Sequence, residues 1–239
     1  MKTIGIPRAL FYYYHFPLWK SFFTQLGFKV VLSRRTDKGI IDLGVKKAVD
    51  EVCYPVKIYY GHLASLIGEV DYIFVPRLIS VEKGSYICPK FMGLPDMVRA
   101  SFDSLPELLD TNFDLRRNPR NLYNAFHSLG EELKIKPRAV EAAAKKAVIT
   151  QKEYEKNLTK GFTPLELLEG EKPIPVMGER IKIGLIGHGY NIYDRYASLN
   201  ILGKLQEMGV RVFTPEMLSQ KEIENLIATQ PNRMYWTLG

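Results

Sequence analysis

The sequence predicts an α/β fold built on parallel sheets, and three observations predict it. Short β-prone runs alternate with helical periodicity over the first 80 residues. One of those runs, Asp71–Val75, is nearly all apolar, as a parallel strand buried on both faces requires. The alternation then returns after residue 180.

The elements follow in order. Thr3–Ile6 is a β-prone run closed by Pro7. Pro17–Leu26 places Leu18, Phe22, Phe23 and Leu26 at helical spacing, and Gly27 stops that helix. Phe28–Leu32 is the second strand, and Ile40–Val49 a short helix. Pro55–Ile67 is a stronger helix, with Pro55 suited to its first position and Gly68 as its stop. The Ala- and Lys-rich run Arg138–Leu158 carries no strand signal and reads as a long, partly exposed helix. Lys172-Pro173-Ile174-Pro175 reads as a linker. Three regions result: a first α/β domain over 1–118, a helical connection over 119–179, and a second, partial α/β domain over 180–239.

The second domain repeats the first. Ile4-Gly5-Ile6 and Leu26-Gly27-Phe28 correspond to Ile183-Gly184-Leu185 and Met208-Gly209-Val210, with Gly-to-Gly intervals of 22 and 25 residues. The architecture is therefore two similar Rossmann/flavodoxin-like parallel-sheet units joined by a helical segment. The second is incomplete, with strands at Ile181–Ile186 and Val210–Phe213 and a helix near Lys221–Ala228. Two strands do not make a stable doubly wound sheet. With the apolar ending Arg233–Gly239, this leads us to expect a chain shortened at its C-terminus.

Composition narrows the function classes. The 239 residues are 46% apolar and 25% charged, which is ordinary for a globular protein with a sizeable core. No apolar run approaches the roughly 18–20 residues of a membrane span, and the start lacks a signal-peptide layout. The expected location is cytoplasmic, with no membrane partner. The net charge of +7 is spread along the chain, and the densest basic stretch, Arg116-Arg117-Asn118-Pro119-Arg120, is short. No aromatic–basic signature or zinc-finger spacing points to nucleic acid.

The two cysteines carry the chemistry. A structural disulfide is not expected in such a chain. Cys53 directly precedes the helix that begins at Pro55, where unpaired N–H groups and the helix dipole favour a thiolate. Cys88 follows the third strand by about a dozen residues. The loops after Ile6 and Ile186 belong to the same carboxyl edge, where open α/β sheets bind ligands. Both thiols are therefore expected to face one cleft. Each is followed by proline, at +2 and +1, and Cys-Pro also occurs beside iron–sulfur clusters. Zinc would want four ligands, and the nearest other candidate, His62, lies nine residues past Cys53.

Further candidates sit on the same edge. Lys57, one turn into the helix behind Cys53, suits a charge aimed at a bound cluster or a plain surface position. His62 suits helix packing or donation to a ligand, and Arg8 a carboxylate or phosphate contact or a structural ion pair. Lys90 lies two residues past Cys88, and His188 lies between Gly187 and Gly189 in the matching loop of the second unit. Tyr12–Tyr14 are expected to pack a domain interface, and Asp96 to sit in the first turn of a helix begun by Pro95.

Several motifs together carry a resemblance. They are Ile4-Gly5-Ile6-Pro7-Arg8-Ala9-Leu10, Pro17-Leu18-Trp19, Glu51-Val52-Cys53-Tyr54-Pro55-Val56-Lys57, Gly61-His62, Asp71-Tyr72-Ile73-Phe74-Val75-Pro76-Arg77 and Cys88-Pro89-Lys90-Phe91-Met92-Gly93-Leu94-Pro95-Asp96. The chain resembles the acyl-CoA dehydratase activase-related family, which is related to 2-hydroxyacyl-CoA dehydratase catalytic subunits and double-cubane cluster proteins. The resemblance implies an iron–sulfur cluster, [4Fe–4S] or double-cubane, held between two similar domains, with Cys53 and Cys88 at the first two ligand positions. A third cysteine would come from a Phe-Gly-Cys-Gly-Pro-like segment that this sequence lacks.

The implied activity is low-potential one-electron chemistry on an acyl-CoA thioester, as in a 2-hydroxyacyl-CoA dehydratase. The implied partners are an actin-like-fold ATPase activator with its own iron–sulfur cluster and a paralogous subunit or second copy. A non-catalytic electron-transfer or activator-docking module, and a small-ligand-binding α/β protein, are the alternative readings. With two of the three cysteines present, the chain isolated in air is expected to hold no intact cluster.

Overall fold

The computed structural model describes residues 1–172, 181–219, 221–223, 225 and 229. Of the expected linker only Lys172 is among them; the ending Arg233–Gly239 and part of the helix near Lys221–Ala228 lie outside the described residues.

The first sheet is parallel throughout and holds β1 (Thr3–Ile6), β2 (Lys29–Leu32), β3 (Tyr72–Phe74) and β5 (Glu107–Leu109) in the order β2-β1-β3-β5. Thr3 stands opposite Lys29, Ile4 opposite Tyr72, and Tyr72 opposite Glu107. This is a Rossmann/flavodoxin-like arrangement, in which strand order reverses at β1 and β3 and leaves a crevice beyond their carboxyl ends.

A second parallel pair, β4 (Arg77–Ser80) and β6 (Asn112–Asp114), prolongs two of those strands. Val75 N–H donates to Leu109 carbonyl and Arg77 N–H to Thr111 carbonyl, so the ladder resumes past Pro76, which has no N–H to give. The prolongation forms a wall beside the carboxyl edge. The sequence reading finds no strand at 77–80, 107–109 or 112–114. Each is only three or four residues long, too short for alternation to register.

Helix α1 (Tyr12–Gln25) begins five residues before the expected Pro17, which lies inside it. An internal proline orphans the carbonyl four residues back. Here the long helix α7 (Pro137–Leu158) supplies the missing partners. Tyr154 hydroxyl donates to the Tyr13 carbonyl at 2.6 Å. The buried Gln151 amide donates to Tyr14 carbonyl at 2.8 Å and accepts from Leu18 N–H at 3.3 Å, inserting itself into the next helical bond. Replacing Gln151 by Leu would leave both backbone groups buried and unpaired, so we expect it to destabilise the protein by about 2–4 kcal/mol, read as a lower denaturation midpoint at unchanged slope.

The core lies between the first sheet, α1, α6 (Asn121–Glu132) and α7. Its centre is aromatic: Phe22 stacks on Phe126 at 4.3 Å, and Phe74 meets both Trp19 and Phe23 edge-on. On the opposite face α2 (Lys38–Lys47) and α3 (Tyr54–Ala64) pack closely, with Gly44 against the Lys57 backbone and Gly61 against the Ile40 backbone. Helices α4 (Pro89–Met92) and α5 (Leu94–Ser101) follow β4, and α8 (Pro164–Glu169) follows α7.

Beyond them β7 (Ile181–Gly184) and β8 (Val210–Phe213) pair in parallel with Ile181 opposite Val210. Between them lie α9 (Gly189–Ile192) and α10 (Ile201–Glu207). Gly27 and Gly209 each take positive φ, 87° and 76°, just before the second strand of their unit. The strand–loop–helix–glycine–strand pattern is thus carried by matching backbone geometry as well as matching residues. Among the described residues no helix is long and apolar enough to cross a membrane.

Candidate functional site at the carboxyl edge

Both cysteines are free and exposed, and each is the N-cap of a helix: Cys53 of α3, Cys88 of α4. Neither cap makes a side-chain hydrogen bond to its helix. The chain turns into α3 at Pro55 and into α4 at Pro89, prolines that fit the first helical turn. The Cys53 carbonyl accepts from the Val56 and Lys57 N–H groups and the Cys88 carbonyl from Phe91 N–H, so each cysteine is fixed to its first helical turn through the backbone while its side chain stays exposed.

Near both thiols lies a residue of the second unit to which the sequence alone assigns no role. Tyr190, in α9, has its phenol raised above the ordinary range, first by burial and then by the nearby Cys88 and Cys53 sulfurs. Its ring meets Phe91 edge-on at 6.2 Å, and Phe91 lies three residues past Cys88. His188, the N-cap of α9, stacks on Tyr190 at 4.9 Å. Phe11, in the loop after β1, packs edge-on against Phe91 at 4.7 Å. The loops after β1, β4 and β7 thus converge around the thiols. The tyrosine run joins the two units: Tyr13 packs against Tyr193, and Gly189 N–H donates to Tyr14 hydroxyl at 2.5 Å.

The other predicted residues divide. Lys57 is half-buried, and its ammonium donates to the Asp50 carbonyl just before Cys53, so it braces that loop. Lys90 is exposed in α4. Arg8 takes the structural alternative: it pairs with Glu169 at 3.0 Å and donates through Nε to the Ser33 carbonyl at 3.3 Å. Glu169, 5% exposed, also meets Arg35 at 2.8 Å, so one buried carboxylate ties the loops after β1 and β2 to α8. Asp96 sits in the first turn of α5 and also grips Arg77 with both oxygens, at 2.7 and 2.9 Å.

His62 is fully buried, nine residues past Cys53 on α3. Its Nδ1 lies 2.9 Å from Ser33 Oγ and its Nε2 2.9 Å from Thr36 Oγ1. Burial, then the charges of Arg8 and Arg34, push its imidazole down to about 3. His15, stacked on Phe11, is pushed down to about 4 by burial. The unfolded chain therefore binds more protons at these sites below about 6.5. Asp194 and Glu132, both raised by burial, act in the opposite sense, contributing stability that is lost as pH rises from their ordinary 3.8 and 4.5 through their raised values. Because both histidines are pushed far down, to about 4 and about 3, we expect melting temperature to fall as pH drops from about 6.5 toward 4, and to fall less in a His62→Gln variant.

Cysteine thiolates are the donors an iron–sulfur cluster requires, so the chemistry of the pair fits. Its number does not close a site: among the described residues there is no group of three or more His, Cys, Asp or Glu side chains able to hold a metal ion. The two thiols would supply two ligands of such a group.

Fold and site together define an α/β protein built on parallel sheets, with two exposed thiols that each begin a helix. Its class is shared: the profile of the CoA enzyme activase uncharacterised domain (DUF2229) matches residues 3–218, and the chain belongs to that family. No curated protein and no solved structure matches it.

Proposed function

We propose that this chain is an iron–sulfur-cluster-binding component of a 2-hydroxyacyl-CoA dehydratase-like, ATP-driven reductase system, with Cys53 and Cys88 as two of the cluster ligands. The observation that carries the reading is the pair of exposed thiols, each capping a helix and both beside Tyr190. Membership of a CoA enzyme activase-related family supports the link to CoA enzymes. The cluster, when bound, would supply one low-potential electron to an acyl-CoA thioester. The chain's residues do the rest: each cysteine is fixed at the start of a helix, Lys57 braces the loop before Cys53, and Phe91, Tyr190 and His188 pack against one another beside the thiols. Remaining ligands would come from a third group outside the described residues, and the electron from an actin-like ATPase activator.

The test is turnover of a 2-hydroxyacyl-CoA by the reconstituted protein with such an activator and ATP. Turnover lost in Cys53→Ala and in Cys88→Ala supports the reading. Turnover indifferent to both thiols contradicts it.

A further inference from the structure

A polar seam runs from the first unit to the second. Arg8 N–H donates to Ser33 Oγ at 2.8 Å, and Ser33 Oγ meets His62 Nδ1 at 2.9 Å. His62 Nε2 meets Thr36 Oγ1 at 2.9 Å, and Thr36 Oγ1 donates to Asp194 Oδ2 at 2.5 Å. The last bond fixes every other. A carboxylate only accepts, so Thr36 spends its proton on Asp194 and must accept from His62. His62 is then the Nε2–H tautomer, and its bare Nδ1 accepts from Ser33. All donors point one way, from β1 to Asp194. Ser33, His62 and Asp194 are 2%, 0% and 4% exposed, so water is a poor substitute in the buried Ser33–His62 link.

The ends of this chain coincide with the site. On α3, Cys53 caps the helix and His62 lies near its other end. In the second unit, Tyr190 stands beside the thiols and Asp194 follows four residues later, its Oδ1 accepting from the Tyr196 and Ala197 N–H groups. One rigid helix therefore faces one short loop at two points. Seating Asp194 on Thr36 and His62 sets where Tyr190 falls relative to Cys53. We propose that Ser33, His62, Thr36 and Asp194 are a positioning device that clamps residues 188–195 of the second unit onto the first, beside the thiols, with His62 its central positioning residue. The importance of that placement rests on reading the thiols as the functional pair.

The experiment uses the full chain, metal-free, and reads hydrogen exchange at residues 188–196 together with iodoacetamide alkylation of Cys53 and Cys88. Thr36→Val removes the hydroxyl at constant shape, and Thr36→Ser keeps it. His62→Gln carries an amide N–H at the Nε2 position, whereas His62→Asn reaches only the Nδ1 position. Thr36→Val and His62→Asn should speed exchange at 188–196 about tenfold and raise alkylation of both thiols, with β1–β3 exchange unchanged. Thr36→Ser and His62→Gln should stay near wild type. Unchanged exchange at 188–196 in Thr36→Val, or equal behaviour of the two His62 variants, would overturn the clamp. Should His62→Asn not fold, the Thr36 pair decides alone. Because no iron is present, a wrong cluster assignment leaves these readouts untouched and shows only in reconstitution.

Discussion

Alanine at Gly61 is expected to lower stability by about 2–4 kcal/mol, a fall of roughly 5–15 °C in melting temperature for a chain of this size. A Cβ there would stand 1.9 Å from the Ile40 carbonyl oxygen of α2, and one at Gly44 would stand 1.9 Å from the Lys57 oxygen of α3. The two contacts are reciprocal, so each helix meets the other's backbone with nothing flexible between them. Relief requires α2 and α3 to part along their length. Alanine's better helix propensity, about 1 kcal/mol, offsets only part of the strain. Gly27 is the control: it has positive φ and open space around it, so alanine there should cost about 1 kcal/mol. A thermal melt of the three variants checks the ordering Gly61 and Gly44 well above Gly27. Parting α2 from α3 would also shift the seat of Cys53 and His62, so the stability defect and a change at the cleft should appear together.

Serine at Cys53 or Cys88 is expected to separate function from folding. Serine is a preferred N-cap whereas these cysteines make no capping bond, so stability should hold or rise by up to about 1 kcal/mol. A hydroxyl is a poor ligand for iron, so thiol-dependent cluster assembly should be lost in either variant. Equal melting temperatures with lost metal binding would exclude unfolding as the cause. Chemical denaturation beside iron and sulfide analysis reads both quantities on one sample.

The first-unit strands at 3–6, 29–32 and 72–74, the helices α2, α3 and α7 and the parallel pairing are legible because each has a local cause: an apolar run, a helical composition or period, a glycine or proline boundary. The early start of α1 was not legible. Its local sequence puts Pro17 inside a helix, and the compensation comes from Gln151 and Tyr154, more than 130 residues away. At the site, the thiols and their helix N-termini could be read from Cys-Tyr-Pro and Cys-Pro. Tyr190 could be found only as a member of the Gly-His-Gly-Tyr loop, because its place beside both sulfurs depends on how the two units pack. Arg8, Ser33, Thr36 and Asp194 show the same limit. Nothing in a serine, a threonine or an aspartate says that it will be joined through a buried histidine, and Arg8 found its carboxylate in α8 rather than in a ligand.

The central claim, that Cys53 and Cys88 are paired ligands of an iron–sulfur site, is tested most directly by anaerobic titration of the metal-free chain. Ferric and ferrous iron in equal amounts would be added with sulfide, which balances a [4Fe–4S]2+ core, and with a small thiol to complete the coordination, and visible absorption recorded. The account predicts broad thiolate-to-iron absorption in the wild type, abolished in Cys53→Ala and in Cys88→Ala, with no stoichiometric iron and sulfide on protein isolated in air. Absorption that survives in the double Cys53→Ala, Cys88→Ala variant, or that never rises above it in the wild type, would contradict the claim.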